Sequence, residues 1–403
     1  MPTPSSVPDL LQLRVGAPAH GGHCVARGPD GRVVFVRHAL PGELVRVRIT
    51  EQAGSFWRAD AVEVLEPSPN RAMPPCPHAG PGRCGGCDWQ HASGPAQREI
   101  KAAVVREQLA RLARLDVPVT VEELPGGLLG WRSRIQWAMA ADGTLGLRRH
   151  RSHDVEPIDF CPLGAPGVAD PPAPLPGVTG VEVVRSDDGR RSVLGHAPGP
   201  GRHSRGRRPP DLVRLVSGPA RLRHTVAGRT FEVDATGFWQ VHPHAADAFA
   251  GALLDMVRVR PGERVLDLYA GAGLFTGLLA DAVGARGEVV GVEMSPQAVA
   301  DAEANLADLP QARVVRARIT PEAVSEADVV VLDPPRSGAG RDVMAAVAAR
   351  ARRVVGYVAC DPATLARDLR VAVDGGWRLA GLRAFDAFPM TQHVECVAAL
   401  SRG

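Results

Sequence analysis

Lysine is almost missing from this chain. Among 403 residues there is one, Lys101, so nearly all of the 47 basic residues are arginines. Alongside 44 glycines and 36 prolines, this reads as a composition bias and not as a functional signal. The formal net charge is only +3, too small to establish a nucleic-acid partner by itself. No apolar run is long enough to cross a bilayer, and no basic-then-apolar leader opens the sequence; a cytoplasmic protein without a membrane partner is expected. In that reducing compartment a structural disulfide among the seven cysteines is disfavoured. Clustered cysteines there point instead to a metal or to chemistry.

What is present is a chain too long for one ordinary core, with the 45% hydrophobic and 23% charged residues of a globular protein. Residues 10–66 alternate apolar and polar in short runs separated by Gly/Pro turns ("GRVVFVRHALPGELVRVRIT"), which predicts about five strands and a small closed β-barrel. Within it, "VRHALPGELVRVRI" resembles TRAM, an RNA-binding module with an OB-like fold. The linker "PSPNRAMPP" leads to "PCPHAGPGRCGGCDWQH" (75–91), which holds Cys76, Cys84 and Cys87. Helical spacing follows over 94–115, then strands over 120–235, with loop expected near 163–210. From about 236, apolar strands alternate with amphipathic helices, as in a doubly wound, mostly parallel sheet. The expected organisation is a multidomain α/β protein: barrel 1–68, central β-rich cysteine-cluster domain 69–235, and Rossmann-like domain 236–403. Two basic stretches, "LRRHRSH" (147–153) and "GRHSRGRRPP" (201–210), could lie along phosphates or be solvated loops.

The cysteine spacing is C-x7-C-x2-C, followed at a distance by Cys161 in "IDFCPLG". Four thiolates suit either an all-cysteine zinc site or a [4Fe–4S] cluster, and spacing leaves both open.

The C-terminal third carries the chemistry. "VLDLYAGAGLFT" (265–276) reads as a buried strand bearing Asp267, a turn containing Gly271 and Gly273, and a helix. "VVGVEMSP" ends in Glu293, placed to accept hydrogen bonds from ribose hydroxyls. A dinucleotide fingerprint would put a third glycine where Thr276 stands, so the pattern favours S-adenosylmethionine, which has no phosphate. "VVVLDPPRSG" (329–338) ends in Asp333-Pro334-Pro335, a rigid lip beside the first loop; Arg336 follows, where amino-directed methyltransferases place an aromatic residue. "VVGYVACDPATLARDL" (354–369) puts Cys360 at a strand end before a helix, a setting expected to favour thiolate. "FPMTQHVECVAALSR" (388–402) puts Glu395 beside His393 in an otherwise apolar strand, where a carboxylate needs a partner or a role. Cys396 should face the core, and Cys24 is expected to be packing or surface.

With Asp333-Pro334-Pro335-Arg336, Cys360-Asp361-Pro362-Ala363-Thr364 and His393-Val394-Glu395 together, the whole chain resembles the S-adenosylmethionine-dependent RNA uridine-5 methyltransferases. The resemblance implies Cys360 as the nucleophile that adds to carbon 6 of uracil and Glu395 as the base that removes the carbon-5 proton. It implies Asp333 at the junction of cofactor and nucleophile, and Gln240, Tyr269, Gly271 and Glu293 as cofactor-binding residues. Many members carry a [4Fe–4S] cluster on a three-plus-one cysteine set, which favours the cluster over zinc on Cys76, Cys84, Cys87 and Cys161. The implied partner is RNA, ribosomal (23S) ahead of transfer RNA, and the implied state is a monomer. The sequence departs from the pattern at His242, where asparagine is usual, at Leu274, where some members carry asparagine, and near Arg316 and Arg318, where an acidic or amide contact is expected. The competing readings are a non-catalytic RNA-binding or ribosome-assembly protein and a cytosine-5 methyltransferase. The second would require a Pro-Cys motif where Pro335-Arg336 stands.

Overall fold

The computed structural model describes residues 10–199 and 211–402; the basic stretch 201–210 lies outside the described residues. Five strands, β1 (Leu11–Ala19), β2 (His23–Arg27), β3 (Val33–Arg37), β4 (Leu44–Gln52) and β5 (Phe56–Glu66), close into a barrel in the order β1-β2-β3-β5-β4. The period-2 pattern is what closes it: alternate residues such as Leu11, Leu13 and Val15 are buried, and Cys24 lies wholly inside. Glu43, fully buried, accepts from the backbone of Leu40 and Ser68 and from Nε and Nη2 of Arg71, which fixes the linker to the barrel.

The cysteine segment precedes helix α1 (Gly94–Gln108), and strand β6 (Val121–Glu123) follows it. A six-stranded sheet is then built from β7 (Arg134–Met139), β8 (Leu145–Arg148), β9 (Val155–Pro157), β10 (Gly180–Arg185), β11 (Arg191–Ala197) and β12 (Leu212–Ser217). A loop was expected near 163–210; β10 and β11 overturn that over part of its length. They pair antiparallel from Gly180↔His196 to Arg185↔Arg191, joined by a turn at Gly189. Their alternating valines were masked by the surrounding Pro, Gly and Arg. A separate hairpin, β13 (Arg221–Val226) and β14 (Arg229–Asp234), leads into the last third.

That part comprises α2 (Ala245–Val257), β15 (Arg264–Leu268), α3 (Leu274–Val283), β16 (Glu288–Glu293), α4 (Pro296–Asn305), β17 (Ala312–Arg316), β18 (Ala327–Leu332), α5 (Arg341–Arg350), β19 (Ala351–Ala359), α6 (Pro362–Asp374), β20 (Trp377–Asp386) and β21 (Glu395–Arg402). The sheet order is β17-β16-β15-β18-β19-β21-β20-β6. Strands β15 to β19 are parallel, and β21 is antiparallel to both neighbours. One core lies on each face of this sheet. The helix face that includes Ala102, Val105 and Leu109 belongs to one of these cores, and β6 extends the sheet edge alongside β20. The middle segment therefore supplies α1 and β6 to the C-terminal layer. The carboxyl ends of β15, β16, β18 and β19 fall together at the switch in strand order, the place where open α/β sheets bind ligands. Among the described residues no helix is long and apolar enough to cross a membrane.

Candidate active site

Cys360 directly follows β19, and Asp361 caps α6: its Oδ1 accepts from the N–H groups of Ala363 and Thr364 at 3.0 and 2.9 Å. Pro362 at the first helical position suits a start with no free N–H to satisfy. Cys360 lines a cavity of about 100 Å³ with Arg336, His393, Lys101 and His20. Burial, followed by the charge of Glu395, pushes its thiol up to about 12, against a weaker pull from Arg336. This reverses the thiolate expected from the helix N-terminus: desolvation and the carboxylates of Glu395, Asp333 and Asp361 outweigh it.

Glu395 opens β21, 5% exposed and paired in register with Phe385 of β20. Burial holds its carboxyl well above the ordinary range, Asp333 pushes the same way, and Arg336 opposes. Asp333 follows β18, tied by its N–H to the carbonyl of Leu268. Desolvation and the neighbouring Asp267 raise it to about 7. Asp267 itself is fully buried on β15 and accepts from the Thr276 hydroxyl at 2.6 Å, a structural pair within the glycine-loop region.

The lip after Asp333 is pinned by α6. Asp368 accepts from the N–H groups of Ala339 and Gly340 and from the Tyr357 hydroxyl, so the Asp-Pro-Pro-Arg loop and the strand end bearing Cys360 are fixed by the same helix. Beyond that lip, Arg336 reaches His393 Nε2 at 3.4 Å.

At the neighbouring strand end, Glu293 accepts from the N–H of Gly271 at 3.1 Å and from those of Met294 and Ser295 at 2.7 Å. A carboxylate held this way is oriented and still has acceptor capacity left. Tyr269 takes a left-handed φ of 66°, a strained choice for tyrosine of the sort that gathers at ligand sites, and Gly271 follows with nothing near its Cβ position. Gln240 is half-buried in the loop before α2. His242, which stands where asparagine was expected, is buried, stacks on Trp131 and is held neutral by desolvation.

The four cysteines Cys76, Cys84, Cys87 and Cys161 line one small cavity, although among the described residues no three metal-binding side chains stand close enough to hold an ion in this arrangement. Gln90 binds the segment internally, accepting from the N–H of Cys76 and donating to Cys87 Sγ at 3.0 Å, while the Gly86 N–H points at Cys84 Sγ. The basic hairpin runs alongside: the Gly85 N–H donates to the carbonyl of Arg148, and Cys84 bridges Arg149.

Comparison with known proteins agrees with this layout. Residues 10–62 match the TRAM domain model, residues 326–403 the tRNA (Uracil-5-)-methyltransferase model, and residues 241–319 the Protein-L-isoaspartate(D-aspartate) O-methyltransferase model. An uncharacterized RNA methyltransferase of Streptomyces avermitilis is 45% identical over 96% of this chain and 97% of its own. The 23S rRNA (uracil(1939)-C(5))-methyltransferase RlmD of Chromohalobacter salexigens is 35% identical over 95% of this chain and 88% of its own. The chain belongs to the RNA uracil-5 methyltransferase family. The methyltransferase also shares its fold with the Pyrococcus abyssi tRNA (uracil-54, C5)-methyltransferase, solved in complex with S-adenosyl-L-homocysteine, at a TM-score of 0.72 and 21% identity over 97% of this chain and all of that one. It uses S-adenosylmethionine to methylate carbon 5 of uracil in RNA.

Three features of the site escaped the sequence reading. Lys101 was available as a signal, because a lone charge on the apolar face of α1 needs a partner. His20 and the Arg336–His393 contact carried no such mark, since their partners lie 341 and 57 residues away.

Proposed function

We infer that this methyltransferase forms 5-methyluridine in 23S rRNA through a covalent adduct on Cys360. The observation that carries the reading is the convergence of Cys360, Arg336 and His393 on one cavity, with Glu395 and Asp333 acting electrostatically on the thiol. Cys360 gives its proton to water and adds as thiolate to carbon 6 of uracil, and the ring electrons move to oxygen 4 as an enolate. When bound, S-adenosylmethionine supplies an electrophilic methyl group to the carbon 5 made nucleophilic in this way. Glu395 then takes the proton from carbon 5, the ring double bond returns, and the bond from carbon 6 to the Cys360 sulfur breaks. Asp333 would stand at the junction of nucleophile and cofactor, while Gln240, Tyr269, Gly271 and Glu293 would hold the cofactor. The oriented Glu293 carboxylate and the open left-handed turn at Gly271 fit an adenosine ligand. The uridine reaches Cys360 only when splayed out of the RNA stack.

Cys76, Cys84, Cys87 and Cys161 would hold a [4Fe–4S] cluster, with zinc as the alternative. The shared cavity and the N–H donors at Cys84 and Cys87 suit thiolate ligands. The reaction moves no net electrons, so the cluster acts as a clasp that fixes the neighbouring basic hairpin for RNA. Ribosomal RNA is favoured by the named 23S rRNA relative. Transfer of labelled methyl to 23S rRNA and tRNA transcripts tests this choice. Label recovered as 5-methyluridine in the 23S transcript supports it, and label in tRNA alone overturns it.

A further inference from the structure

The turn between β1 and β2 of the barrel reaches the catalytic pocket. His20 Nε2 lies 2.9 Å from Asp361 Oδ2, and the turn residues Ala19 to Gly22 share a cavity with Cys360 and His393. The turn packs closely against its surroundings. Gly21 and Gly22 are left-handed, at φ 102° and 77°, and a Cβ on Gly22 would come within 2.8 Å of the Asp88 carboxylate. Asp88 is itself fixed, by Arg37 of β3 and by the N–H of Gln392 at 3.0 Å. One contact network therefore joins the barrel, the cysteine segment and the loop that leads to Glu395.

Asp361 divides its carboxylate between two tasks. Oδ1 caps α6, and Oδ2 is taken by His20. Burial opposes its charge, yet the His20 bond and the capping N–H groups hold its carboxyl down to about 2. The geometry points to His20 as a positioning residue for the nucleophile: by fixing Asp361 it fixes the adjoining Cys360 toward the uracil, and through it a barrel seated on RNA is coupled to the reactive thiol. This rests on Cys360 being the nucleophile. The bond to Asp361 raises the pKa of His20, burial opposes, and Glu107 of α1 and Arg111 just beyond it act in opposite directions. The neighbouring Arg336, Lys101, His393 and Cys360 face the same cavity. The charged His20–Asp361 pair is complete below the His20 titration and is lost as pH rises through it.

The test uses the full chain with RNA containing 5-fluorouridine. His20→Ala should slow covalent adduct formation at pH 6.5 at least tenfold, with the KM for S-adenosylmethionine changed less than twofold. His20→Gln, which keeps a neutral donor, should restore part of the rate, and the ratio of wild type to His20→Gln should fall as pH rises from 6 to 8.5. Equal or faster adduct formation by His20→Ala, or a ratio flat with pH, overturns the assignment. Cys360→Ala is measured in parallel. If it still forms adduct, the nucleophile reading fails; if it forms none while His20→Ala behaves as wild type, only the role of His20 fails.

Discussion

The ammonium of Lys101 lies 2.5 Å from Oδ1 of Asp386, with both side chains 1% exposed. The pair joins α1 to the end of β20 across 285 residues, and the same ammonium donates to the carbonyl of Phe388 at 3.0 Å. Gln97, one turn earlier, accepts from the Met390 N–H at 2.7 Å. The only lysine in the chain thus helps fix the loop between β20 and β21, at whose end Glu395 stands.

Removing one partner of such a pair leaves a buried charge without compensation. Lys101→Met should lower stability by about 3–5 kcal/mol, whereas Lys101→Met with Asp386→Asn should recover a large part of that loss. Urea unfolding of the two variants decides, and equal midpoints for Lys101→Met and wild type would remove the pair from the account.

A thiol raised to about 12 is protonated near neutral pH, and Glu395 is raised in the same direction. Cys360 ionises only as pH increases, so adduct formation should accelerate from pH 6 to 9, while any charge that Glu395 gains holds the thiol back. Asp333, which titrates near 7, gains charge in this interval and works against Cys360, so the slope should fall below tenfold per unit. A rate that declines with pH would contradict this electrostatic picture.

Arg336 is a cation that draws both Cys360 and Glu395 downward. Arg336→Met should raise the thiol further and slow adduct formation severalfold at saturating RNA, by a similar factor from pH 6 to 9. An unchanged adduct rate at saturating RNA, with weaker RNA binding, would assign the arginine to RNA binding instead.

Anaerobically isolated protein should be brown and contain iron and acid-labile sulfide, and Cys161→Ser should lose them. Stoichiometric zinc in a colourless protein would replace the cluster by the alternative.

The parts of this molecule that could be read in advance are those where the physics is local. Barrel strands show period 2, buried parallel strands show as apolar runs, and the strand ends at Asp333 and Cys360 follow directly from those runs. What could not be read depends on contacts between distant segments. β6 pairs with β20 only because the chain returns to that sheet edge, and β10 and β11 were obscured by composition. The protonated state of Cys360 was misjudged because the helix start is a local feature, whereas the carboxylates of Asp333 and Glu395 come from other strands.

The proposed mechanism gives Cys360 and Glu395 separate tasks on one uracil. The decisive measurement is denaturing gel analysis of the protein with uridine RNA and labelled S-adenosylmethionine. Glu395→Gln should accumulate a methylated protein–RNA adduct that wild type turns over, and Cys360→Ala should give neither adduct nor 5-methyluridine. Product formation by Cys360→Ala, or full turnover by Glu395→Gln without trapped adduct, would contradict it.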